Sequence, residues 1–129
     1  DGEDGYYVDA EGVVIPNSSY SRNLLTATGQ ISPSFASRSL SAFGEYVGRD
    51  SLWNNLIEQV YVVRDSRGRY KVTLVPRIGN HTVYLGTLDK YETKLRRLAI
   101  FYREAIPKVG WVKYKQLNLE YDNQVVCTR

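Results

Sequence analysis

The 129-residue chain predicts an α+β domain: a mostly antiparallel β-sheet with two main helices packed against it, ending in a C-terminal hairpin. Three observations carry that prediction. Short runs between Ile57 and Gly86 alternate apolar and polar residues and are separated by turn residues, the mark of strands with one wet face. Two stretches, around 33–48 and 90–106, carry apolar residues at helical spacing instead. The last stretch, Val112 to Arg129, returns to period two and contains a turn dipeptide.

In chain order, Asp1–Gly5 reads as linker, and the absence of Met suggests an excised fragment. Tyr6–Asp9 and Gly12–Pro16 flank Ala10-Glu11 as a short hairpin closed by Pro16. Arg22–Thr28 is a strand stopped at Gly29. Ser32-Pro33-Ser34 offers a helix start; Ala36, Leu40, Phe43 and Val47 share one helical face, and Gly48 falls just past the end. Asp50–Asn54 suits one further turn.

The period changes at Leu56. Ile57–Arg64 is a strand, Asp65–Gly68 a turn and Arg69–Pro76 the returning strand, with Tyr70, Val72 and Leu74 on one face. Ile78-Gly79-Asn80 turns the chain into His81–Gly86, completing a three-strand meander. Asp89 and Glu92 have capping-box spacing, so a helix should run from Lys90 to about Ile106. Tyr91, Leu95, Leu98, Tyr102 and Ile106 form its apolar stripe, and Pro107 should end it.

Trp111 leads into the terminal hairpin. Leu117, Leu119 and Tyr121 alternate there with Gln116, Asn118 and Glu120; Asp122-Asn123 is the turn and Gln124–Thr128 the second arm. Two arrangements remain open for that last strand. It sits in the middle of the sheet, or it forms an edge whose unpaired N–H and C=O groups are available to another chain. Tyr121 is likewise core by parity with Leu117 and Leu119, or an aromatic anchor if exposed.

The length suffices for one domain with its own core. No apolar run approaches the roughly 18–20 residues of a membrane span. A single cysteine, Cys127, excludes an internal disulfide and reads as a small apolar strand residue. The net charge of +3 is unevenly spread: residues 57–115 carry thirteen basic and five acidic groups, whereas residues 1–56 carry three and seven. That basic middle suits an acidic partner, an anionic polymer such as nucleic acid or an envelope glycan, or a membrane surface. It equally suits the solvated face of strands and a helix.

Catalytic patterns are missing. One histidine, His81, excludes two-His metal motifs, no serine lies in a GxSxG context, and the glycines form neither GxGxxG nor GxxxxGK. The expectation is a domain that is not an enzyme and needs no cofactor or metal. Arg67–Val72 loosely matches the strand motif of RNA-binding sheets, but Tyr70 is in register with Val72 and Leu74, which predicts core.

Several segments together resemble the C-terminal β-domain of FtsQ/DivIB bacterial cell-division proteins, particularly Bacteroidetes forms. They are Tyr7–Gly12 with Pro16, Leu24–Gly29, Trp53–Tyr61, Leu74–Arg77, Val83–Gly86, the Lys94–Tyr102 helix and Lys113–Thr128. The resemblance implies residues 6–129 as one β-domain, detached from a single-pass inner-membrane anchor and a POTRA domain, on the periplasmic side. It implies a non-enzymatic scaffold of the divisome that binds FtsB/DivIC and FtsL ectodomains by strand addition at its C-terminal edge. Matched by position, the family's binding tyrosine falls at Tyr121, and its turn and last strand at Asp122, Asn123, Gln124, Val125 and Val126. Proteobacterial members carry Arg where this chain has Glu120, so a salt bridge of the same sign does not carry over. A family arginine elsewhere on the binding face corresponds to Arg64.

Overall fold

A computed structural model of the chain describes residues 4–8, 14–16, 25–110, 114–121 and 124–128. The predicted Ala10-Glu11 turn with Asp9, Gly12 and Val13 of its flanking strands, residues 22–24 of the third strand, Trp111 and the Asp122-Asn123 turn fall outside them.

The first strands are β1 (Asp4–Val8), β2 (Val14–Pro16) and β3 (Leu25–Gly29). β1 and β2 pair antiparallel as the expected hairpin, and β1 also pairs antiparallel with β3. β1 takes in Asp4 and Gly5, which composition assigns to linker.

Helix α1 then opens at Ser32, whose side chain accepts the Phe35 N–H at 3.0 Å, with Pro33 in the first turn where its missing donor costs nothing. It is α-helical over Pro33–Phe35, widens to a π-helical stretch over Ala36–Leu40 and is α-helical again over Ser41–Arg49. Ala36, Leu40, Phe43 and Val47 are all buried, as their spacing predicts. Gly48 lies within the last turn rather than beyond it. Asp50 caps the short α2 (Ser51–Leu56), accepting the Leu52 and Trp53 N–H groups at 2.9 and 3.2 Å.

Strands β4 (Ile57–Arg64), β5 (Tyr70–Pro76) and β6 (Thr82–Gly86) form the antiparallel meander. Its first turn is closed by Asp65, whose Oδ1 accepts the Arg67 and Arg69 N–H groups at 2.9 Å each; Gly68 there adopts φ 80°. Helix α3 (Tyr91–Val109) follows, then β7 (Gln116–Asn118) and β8 (Val126–Thr128). It starts one residue later than the capping-box spacing predicts, because Lys90 takes a left-handed φ of 57°. It also runs past Pro107, which sits in its last turn and forfeits a single hydrogen bond there. Gly110, at φ 85°, ends it. Leu95, Leu98 and Tyr102 of the stripe are buried and Tyr91 packs against the core; the Ile106 side chain lies outside the description.

The eight strands form one sheet in the order β2-β1-β3-β4-β5-β6-β7-β8. The sheet is mixed: β3/β4 and β6/β7 pair parallel, and the other pairs are antiparallel. A helix between two neighbouring strands carries the chain back along their length, so the second strand must run the same way as the first.

Both long helices cover the same face. Ala27, Val60, Val62, Val72, Leu74, Val83, Leu85 and Leu117 point into that layer and join Leu40, Phe43, Leu95 and Leu98 in one core. The opposite face, with Gln59, Tyr61, Val63, Lys71, Thr73 and Tyr84, is exposed or half-buried.

Gly29 marks the closest backbone approach in this frame. At φ 115°, a Cβ there would lie 2.1 Å from the Val62 carbonyl oxygen, which also accepts the Gln30 N–H at 2.8 Å. Gly29→Ala is therefore expected to destabilise the domain by on the order of 3 kcal/mol or more, measured as a fall in denaturation midpoint. A loss below about 0.5 kcal/mol would show that the β3/β4 pairing yields freely.

Candidate functional site

The crossover through α3 places the terminal hairpin outside β6. β7 is zipped to β6 by the Thr82 N–H donating to the Lys115 carbonyl at 2.9 Å and the Leu119 N–H donating to the Tyr84 carbonyl at 2.8 Å. Leu117 and Leu119 are buried, as their alternation predicts. β8 pairs antiparallel with β7, Leu117 opposite Cys127 and Asn118 opposite Val126. On its other side, no strand covers β8 among the described residues. The sheet ends there, on the row of backbone groups that an added strand would use.

The alternation breaks at Tyr121 for two reasons, one local and one from α3. The Asn118 side-chain oxygen accepts the Glu120 N–H at 2.8 Å, bending the backbone out of strand geometry after Asn118. From beneath, Arg97 on α3 draws the bend towards the helix. Its Nη1 donates to the Tyr121 and Gln124 carbonyls at 2.6 and 2.7 Å, and its Nη2 reaches the Leu119 carbonyl at 3.4 Å. Released from register, Tyr121 is 53% exposed. The core position that parity allowed is therefore wrong, and the ring is open to solvent.

Glu120 turns the other way. Its carboxylate crosses Gly86, where a Cβ would come within 2.9 Å of its Cγ, and pairs with Lys71 Nζ on β5 at 2.6 Å. That hydrogen bond raises the Lys71 pKa. Glu120 thus ties the hairpin to the sheet's open face. Of the other predicted contact residues, Gln124 is exposed, Val125 packs against the core and Val126 is 40% exposed. The strand begins at Val126, two residues later than expected. Asp122 and Asn123 lie outside the described residues.

Arg64 does not join this group. It ends β4, four strand spacings and about 19 Å from β8 across the sheet. Its guanidinium sits 4.9 Å from the Tyr70 ring centre and reaches the Gly68 carbonyl at 3.3 Å. A strand laid along β8 does not touch it.

A protein-family model described as FtsQ/DivIB, C-terminal related matches residues 1–128. The chain belongs to that family. No curated protein matches it. Membership in the FtsQ/DivIB-related family ties the domain to bacterial cell division and to a membrane-anchored division protein. No described helix is itself long and apolar enough to cross a membrane.

Part of the basic middle of this FtsQ/DivIB-related domain is committed to contacts within it. Lys94 is buried and donates to the Leu85 and Thr87 carbonyls at 2.8 Å each, Arg69 pairs with Asp65 at 3.1 Å, and Lys71 and Arg97 are engaged as above. Tyr70, the residue of the RNA-like motif, stacks on Phe35 at 4.1 Å between ring centres. That contact and Arg64 occupy its faces. Cys127 is half-buried on the core side, where burial pushes its thiol pKa up. His81 is also internal, 5% exposed, with Nε2 2.7 Å from the Tyr102 hydroxyl; burial lowers the imidazole pKa and raises that of the phenol.

Arg97 is the residue that sequence reasoning missed. Its only signal was a polar position beside the apolar stripe of α3. Arg97→Ala should cost about 2 kcal/mol, the scale of a charged hydrogen-bond set, and speed amide exchange in 124–128. Arg97→Lys should restore little, since one ammonium cannot span three carbonyls in a fork. Unchanged exchange in Arg97→Ala would remove the clamp.

His81 gives a pH test. Its folded pKa lies below the unfolded value of 6.5, so on acidification the unfolded chain takes up the proton first. Stability should fall as pH drops from about 6.5 towards the folded pKa, and His81→Gln should lack that part of the slope. Equal slopes between pH 7.5 and 4.5, read by denaturant titration, would contradict it.

Proposed function

We propose that this domain is a non-enzymatic scaffold of the bacterial divisome, set on the periplasmic side of the inner membrane by its parent protein. It binds FtsB/DivIC- and FtsL-type ectodomains by adding a partner strand along β8. The observation that carries this reading is the outer edge of β8, left uncovered among the described residues; the exposed Tyr121 ring at the turn end of the hairpin supports it. Family membership supplies the division role and the class of partner. Glu120 contributes by holding the hairpin in place, with its charge already taken by Lys71.

Magnitudes limit what the edge supplies. Three residues in β8 present two to four outward backbone groups, worth roughly 1 kcal/mol each once paired. Micromolar affinity needs about 8 kcal/mol. Backbone pairing therefore sets register and orientation, and side-chain anchors must supply most of the affinity. Tyr121 is the first such anchor.

The test is titration of the domain with a soluble FtsB/FtsL-type ectodomain complex. Tyr121→Ala should weaken binding by on the order of 1–3 kcal/mol with the fold intact, because the ring is exposed. Successive residues in a strand aim their N–H groups at opposite edges, so Val126→Pro and Cys127→Pro remove donors from opposite sides of β8. The variant that keeps its fold has lost the outward donor and should lose binding. If that folded variant binds like wild type, the edge is not the contact surface.

A further inference from the structure

The second anchor lies beneath the edge. Between α3 and the residues leading into β8 runs a groove of about 480 Å³. Ile100, Phe101 and Ala105 line its helix wall, and Gln124 and Val125 its sheet wall. Ile100 is 41% exposed although apolar, and Phe101 is braced from behind by Tyr114, 6.0 Å away between ring centres. An apolar wall of this size left open beside an unpaired strand is an unfinished piece of core.

Sheet geometry decides what would fill it. Residues opposite one another on neighbouring strands share a face. Cys127 lies opposite buried Leu117, so it faces the helix layer, and Val125, two residues earlier, packs on the same side. A strand added outside β8 would turn the residues opposite Cys127 and Val125 inward, over Ile100, Phe101 and Ala105. Those opposite Val126 and Thr128 would face the open side. The occupant therefore needs large apolar side chains at positions i and i+2, since polar ones would be desolvated there without partners.

Charge fixes one end. Lys108 lines the groove near the close of α3, and exposed Lys115 sits beside the end of β8, its N–H donating to the Thr128 carbonyl at 2.7 Å. Glu104 also lines the groove, with Arg103 3.7 Å away. Arg97, at the other end, has its Nη groups on backbone carbonyls. The two lysines leave a positive end that complements a carboxylate.

We propose that this groove is the side-chain pocket for the incoming strand of a protein partner, an extended segment with large apolar residues at alternate positions and an acidic residue at the end beside Thr128. The inference rests on strand addition at β8 and adds what the edge alone does not supply: selectivity for the partner's sequence.

The same ectodomain complex serves as the probe. Ile100→Asp, placing a charge on an exposed helix position, and Ala105→Trp, filling the groove, should each weaken binding at least tenfold. Ile100→Leu should bind within twofold of wild type. Lys108→Glu should weaken binding severalfold and flatten its salt dependence. Thermal melts confirm that each variant is folded, and Ile100→Asp alone decides the matter if Ala105→Trp is not. If Ile100→Asp binds within twofold of wild type while the folded β8 proline variant does not bind, strand addition stands and the groove assignment is overturned. If the proline variant binds normally, or wild type does not bind at all, both fall together.

Discussion

The architecture depends on one directional constraint. Each long helical segment joins two strands that are neighbours in the sheet, and a helix packed on a sheet returns the chain to the end it started from. β3/β4 and β6/β7 are parallel for that reason. The second crossover has the larger consequence. It carries the chain past β6, the last strand of the meander, so the terminal hairpin is added to the outside of the sheet and β8 becomes its boundary. The open edge follows from the path of the chain.

An edge is useful only if it is held in shape, and this one is held from both faces. On the helix side, Arg97 gathers the carbonyls of Leu119, Tyr121 and Gln124. On the open side, Glu120 reaches across Gly86 to Lys71, which ties the hairpin to a strand two places away. Between these two anchors the backbone leaves strand geometry and the Tyr121 ring is turned outward. Three of the basic groups of the middle of the chain, Lys71, Lys94 and Arg97, are spent in such internal work. A pre-shaped edge lowers the ordering cost of association, which matters when only three residues supply the backbone contacts.

Particular residues show how far local pattern reached. The buried face of α1 at Ala36, Leu40, Phe43 and Val47, the bounds of β4, and the Asp65–Gly68 turn were legible because each depends on short-range chemistry. The terminal hairpin was legible as a hairpin, and its edge only as one of two arrangements. The parity argument for Tyr121 failed because it assumed that the strand continued past Asn118. One side-chain hydrogen bond and one arginine from a distant helix ended it. Arg64 was associated with the binding face through resemblance and lies on another strand altogether. Pro107 was read as a stop and became the last turn of α3.

The sequence by itself determined the element types, the one-sided burial of the strands and the family, since these are encoded in periodicity, turn residues and the order of many short segments. Only the tertiary structure decided which strand is left uncovered, which way Tyr121 faces and that α3 walls a groove beside β8. Those outcomes depend on contacts between residues more than twenty positions apart, Arg97 with Tyr121 and Lys71 with Glu120, and no local pattern carries them.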